Sequence, residues 1–116
     1  MALKDVNYDV IQGDSFQLDV TYTDELGAPI NLGGYQINME VRDKPGGKIL
    51  CATCSIGDGI TVTNAANGVF SLVVSPAKTR KFVYPKSAFQ IQVISSSGIV
   101  STIHKGWFNV DAGVIE

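Results

Sequence analysis

Hydrophobic and polar residues alternate with a period of two along much of this chain. Phe16, Leu18, Val20 and Tyr22 alternate with Gln17, Asp19, Thr21 and Thr23. Beyond a turn-rich stretch, Tyr35, Ile37, Met39 and Val41 alternate with Gln36, Asn38, Glu40 and Arg42. Successive side chains of a strand point to opposite faces, so each block predicts a strand with one apolar and one polar face. The same reading predicts strands over 6–12, 15–23, 35–43, 48–55, 60–63, 69–74 and 89–93, and a last one from 99 to 110 that Gly106 interrupts as a bulge.

The punctuation is equally regular. Lys44-Pro45-Gly46-Gly47 reads as a turn, because proline presets one φ and glycine accepts positive φ. Asn67-Gly68 closes a hairpin loop. Ser75 can cap a helix whose first position is Pro76, but residues 77–81 complete only about a turn and a half. That segment predicts a crossover between sheets rather than a layer. About eight short strands with frequent turns predict an antiparallel Ig-like β-sandwich of seven to eight strands with one short helical crossover. The 116 residues fit one domain, 1–116, with 111–116 as a short flexible tail.

Composition narrows the chemistry. Apolar residues are 45% and charged residues 17%, so the polar faces rest on Ser, Thr, Asn and Gln, and little charge repulsion opposes association. A net charge of −2 gives no global basic field for phosphates, so no nucleic-acid partner is expected. No apolar run approaches the ~20 residues of a membrane helix, and the first residues carry no secretory h-region. A reducing compartment is the expectation.

Candidate reactive residues are sparse. Cys51 and Cys54 form one Cys-x-x-Cys with no second pair for zinc and no βαβ context for redox work. On a regular strand they would face opposite ways, as reduced, small hydrophobes. His104, the single histidine, has no nucleophile-elbow motif beside it, and the eleven carboxylates are scattered, with Asp24, Glu25 and Asp58 in turns. No catalytic residue, metal site or cofactor is expected. Lys78, Arg80, Lys81 and Lys86 interleave with Phe82 and Tyr84, a mix that can serve single strands. The acidic balance favours a solvated turn whose aromatics cover the end of the sandwich.

Certain turns carry a resemblance. Gln12-Gly13-Asp14-Ser15-Phe16, the Asp24 to Ile30 turn and Asn31-Leu32-Gly33-Gly34-Tyr35 resemble the small Ig-like domains of phage and prophage tail modules, such as the N-terminal domain of baseplate upper proteins. Lys44-Pro45-Gly46-Gly47, Asp58-Gly59-Ile60-Thr61, Gly68 to Leu72, Ser75-Pro76-Ala77-Lys78-Thr79 and Gly106 to Val110 extend it over residues 9–111. The chain departs in carrying Tyr84-Pro85-Lys86 where the family has a glycine-containing turn. The resemblance implies a non-enzymatic tail or baseplate part, an adaptor or fibre base. It implies assembly with other virion proteins and as a homo-oligomer, located in the virion and, during assembly, in the host cytoplasm. Tyr8, Phe82, Tyr84 and Trp107 are the interface candidates. The alternatives are a capsid decoration protein or a carbohydrate- or cell-surface-binding module, which would set Tyr84 or Trp107 beside an acidic or amide groove.

Overall fold

The computed structural model describes residues 4–24 and 26–112, Lys4 and Asp5 through their backbone alone. Among them are eight strands: β1 (Lys4–Ile11), β2 (Phe16–Thr21), β3 (Gln36–Arg42), β4 (Leu50–Ile56), β5 (Gly59–Asn64), β6 (Val69–Val74), β7 (Lys86–Ile94) and β8 (Val100–Asp111). A 3-10 turn at Ala65–Asn67 and the short helix α1 (Pro76–Thr79) complete the list of elements. The strands join in the order β1-β8-β7-β3-β4-β5-β6-β2.

This ribbon folds over on itself at the β4–β5 corner. Ser55 and Asp58 exchange backbone hydrogen bonds at 3.0 and 2.8 Å, and Gly57 N donates to Ile60 O at 3.1 Å. The corner sets β5 beside β4 for only two residue pairs before the chain moves into the second layer. Closure is visible in the rings. Phe16, on β2 at one end of the strand order, lies 5.0 Å from Phe108 of β8 and 5.4 Å from Tyr8 of β1 at the other end. The apolar residues of the alternating blocks face one another across this gap, with Ile37, Met39, Val41, Phe70, Leu72, Val74, Ile91 and Phe108 all buried. The expected all-β, Ig-like sandwich is therefore formed. It departs from the antiparallel expectation at two strand pairings: β1 runs parallel to β8 over eight pairs, Lys4↔His104 to Ile11↔Asp111, and β4 runs parallel to β5 over two, so the sheet is mixed.

Local chemistry explains the joints. Asn64 Oδ1 accepts from Asn67 N at 3.3 Å, and Gly68 leaves the 3-10 turn at φ 71°, where an added Cβ would meet the Tyr22 and Ile30 carbonyls. Ser75 Oγ accepts from Lys78 N, with Pro76 opening α1 as its sequence predicts. Helix α1 carries the chain from β6 to β7, the crossover between layers.

Irregularities fall elsewhere than the glycine pattern suggests. The β7–β8 register slips at Ile103, because Ile91 pairs with His104 and Gln92 with Thr102. Gly106 instead pairs in sequence with Phe89 and with Val6, and it is glycine because a Cβ there would collide with the Val6 carbonyl. A second slip leaves Cys51 unpaired between Val41↔Ala52 and Arg42↔Leu50. A bulge turns neighbouring residues toward the same side, so Cys51 and Cys54 both join the core, against the expectation of opposite faces. Both thiols are free. The expected tail begins later than residue 111: Asp111 pairs with Ile11, and its carbonyl accepts from Gln12 N at 2.9 Å. Residues 113–116 of that expectation lie outside the described residues.

Candidate binding groove and open edges

The polar positions of β3, β4, β7 and β8 come together on the outer face of one layer. Pairing across these four strands arranges them in rows. One row is Thr53, Glu40, Gln90 and Lys105; the next is Ser55, Asn38, Gln92 and Thr102. A third carries Arg42, Ala88 and Trp107. Strands stand about 4.8 Å apart, and residues two apart along a strand are separated by about 6.6 Å, so this is a grid of polar groups at fixed spacing. The face encloses a groove of about 830 Å³, within the ~300–1,000 Å³ range of small-molecule sites.

The 43–49 loop closes one end. Arg42 Nη1 donates to Gly47 O at 3.1 Å, and Gly47 N to Lys44 O at 2.8 Å, which sets Lys44, Pro45 and Gly46 along the groove. Glu40 Oε1 accepts from Arg42 Nε and Nη2 at 3.1 and 2.9 Å. Gln90 Nε2 donates to Thr102 Oγ1 at 2.8 Å. Trp107 is half-buried and pairs across the strands with the small Ala88, with the Lys86 ammonium 4.5 Å from its ring centroid. Three cations, Arg42, Lys44 and Lys105, and one carboxylate, Glu40, line the groove.

A second surface is the flank where β1 and β2 end the strand order. Each pairs on one side only among the described strands, and the 12–15 turn joins them. Gly13 N donates to Thr79 Oγ1 at 3.0 Å, Thr79 Oγ1 to Asp14 O at 2.8 Å, and Gln12 Nε2 to Phe82 O at 2.8 Å, which docks this turn on the crossover. Asn7, Asp9, Gln17 and Asp19 are exposed along the two edges.

The four interface candidates scatter. Tyr84 is 61% exposed. Trp107 lines the groove. Tyr8 is half-buried among Phe16, Phe89 and Phe108, its hydroxyl 3.4 Å from His104 Nε2; burial raises its pKa. Phe82 is a correction: at 2% exposure it packs on Phe108 with ring centroids 5.1 Å apart, because the 80–85 segment folds inward and Pro85 O accepts from Val110 N. His104, 6% exposed, is a core residue. The basic run likewise divides, since Lys86 goes to Trp107 while Lys78 Nζ turns to Asp58 Oδ1 (2.9 Å), Thr53 O (2.8 Å) and Cys54 Sγ (3.7 Å). Burial pulls the Lys78 ammonium down, but its hydrogen bond to Asp58 and the charges of Cys54 and Asp58 outweigh this and hold it above its ordinary value. Burial pushes the Cys54 thiol up, and Lys78 only partly offsets it.

Among the described residues no group of three or more His, Cys, Asp or Glu could hold a metal ion. The amides and cations of the groove were visible in sequence only as a polar face. Their grouping depends on β3 lying beside β7, some fifty residues away, and no local signal announces that pairing.

Comparison with known proteins adds little. No family model and no curated protein matches this chain. Among solved structures, CopC from Methylosinus trichosporium OB3b is similar over 96% of this chain and 86% of its own, with 16% identity and a TM-score of 0.48. Extracellular domains 3–5 of Drosophila OTK are similar over 96% of this chain and 34% of theirs, with 13% identity and a TM-score of 0.44.

Proposed function

We propose that this chain is a non-enzymatic structural part of a phage or prophage tail or baseplate, working by protein–protein assembly. The observation that carries the reading is the flank formed by β1 and β2, two edge strands whose outer sides have no partner among the described strands. An open edge offers a row of backbone donors and acceptors, the usual template for strand addition by another chain. The resemblance of the turn sequences to tail-module domains supports a virion as the place where such a partner is met. Copies of the chain or neighbouring virion proteins would add a strand there, with the exposed Tyr84 as a flanking anchor of the kind interfaces favour.

The test has two parts. Mass spectrometry of purified particles from the source lysate should find the chain at a stoichiometry matching other tail proteins. Light scattering of the purified chain, alone and mixed with those tail proteins, should show a stable oligomer or complex, and proline substitutions along β1 should weaken it. Absence from the particles, with only monomer in every mixture, overturns the proposal.

A further inference from the structure

We infer that the groove across β4, β3, β7 and β8 is a binding site for an acidic saccharide, one carrying carboxylate groups. This goes beyond the assembly role and uses a different face of the molecule from the β1–β2 flank.

The lining chemistry matches that ligand class group by group. Side-chain amides of Asn38, Gln90 and Gln92 present donor and acceptor together, as sugar hydroxyls require. They recur at strand and pleat spacing, so they meet an extended chain at regular intervals rather than at one point. Asn38, Gln92 and Lys105 make no side-chain hydrogen bond among the described residues, while Gln90 gives one amide hydrogen to Thr102, so most of this capacity faces solvent.

Charge selects the acidic members of the class. The chain carries a net −2, yet the groove gathers Arg42, Lys44 and Lys105 against Glu40 alone. Glu40 is already engaged by Arg42 at 2.9 Å, while Lys44 and Lys105 have no ion-pair partner among the described residues. A local positive field on an acidic molecule attracts anions to that spot and not to the surface at large.

Trp107 supplies the apolar floor. It is half-buried and pairs across the strands with the small Ala88, and the exposed Lys86 side chain sets its ammonium 4.5 Å from the centroid, over one face of the ring. A single indole suits the C–H face of one sugar ring. Single-stranded nucleic acid, by contrast, is held by several stacking platforms along a basic track. Of the two aromatics lining the groove Phe89 is buried, which leaves Trp107 alone, and the neutral amides and hydroxyls outnumber the charged groups.

Because Trp107 is the chain's single tryptophan, its emission reports the groove directly. The full chain would be titrated with short oligogalacturonates, hyaluronan fragments and sialylated oligosaccharides, with neutral maltooligosaccharides and oligo-dT as comparison arms. At least one acidic sugar should give a saturable change in the micromolar to millimolar range. It should bind about tenfold or more tightly than the neutral sugar and weaken as salt rises. Lys105→Gln should reduce its affinity about tenfold and Gln92→Ala should reduce it several-fold, with unchanged thermal midpoints showing that both variants fold. No saturable response to any acidic sugar, equal binding of the neutral sugar, tighter binding of oligo-dT, or undiminished affinity in Lys105→Gln would each overturn the assignment.

Discussion

Gly106 shows how one atom can hold two strands together. It pairs with Val6 in the parallel β1–β8 ladder, and a Cβ at this position would run into the Val6 carbonyl. The obstacle is backbone and not the flexible end of a side chain, so relief requires β1 to move away from β8. Gly106→Ala should therefore destabilise the chain by about 2–3 kcal/mol, at the upper end of ordinary single substitutions. The loss should be local in origin: amide exchange in β1 should accelerate far more than in β3 or β7, which keep both neighbours. Equal protection of β1 in the variant and the parent would refute this account. The sequence marked Gly106 as unusual but misassigned the reason, since a bulge and a close backbone approach both call for glycine. The actual slip, at Ile103, carries no glycine and so gave no signal.

At the scale of elements, one buried hydroxyl makes two of the three hydrogen bonds that dock the 12–15 turn on the crossover. Thr79 is fully buried on α1, and its Oγ1 accepts from Gly13 N and donates to Asp14 O, bonding the β1–β2 turn to the helix. Thr79→Val keeps the shape and strands both backbone groups, which should lower stability by about 1–3 kcal/mol in urea unfolding. Thr79→Ser, which keeps the hydroxyl, should lose less, and the reverse order would show that packing and not hydrogen bonding dominates. None of this tie was visible in the sequence, although Ser75, Pro76 and the helix they start were. The division is physical. Alternation, caps and turns are written within a few residues of where they act, so β6 and α1 sit where local pattern placed them. Which strands become neighbours depends on closing long loops, and that decides the polar rows of Asn38 with Gln92 and Glu40 with Gln90. The same distance left Phe82 open between an interface role and a cover for the end of the sandwich, and the 80–85 segment, folding under β8, decides for burial.

At the scale of the whole molecule, four groups among the described residues link folding to alkaline pH in one direction. Tyr8 on β1 and Tyr22 beyond β2 are pushed up from an ordinary 10.0 by burial, Tyr22 also by the neighbouring Tyr35. Burial pushes Cys54 on β4 up from 9.0. Lys78 on α1 stays above its ordinary 10.5, because Asp58 and Cys54 outweigh the opposing effect of burial. In each case the folded chain holds its proton more tightly than the unfolded chain does. The contribution is present in full below the ordinary value and is lost as pH rises through the folded value, because the unfolded chain releases its proton first. Stability should therefore be flat near neutrality and begin to fall at about pH 9, where an unfolded cysteine ionises, then fall more steeply above about pH 10 as the tyrosines and lysine join. Urea midpoints measured across that range check the slope, and Cys54→Ala should delay its onset while leaving the steeper part in place. A midpoint that holds constant or rises up to about pH 11 would mean that these groups are as free to ionise in the folded sandwich as in the open chain.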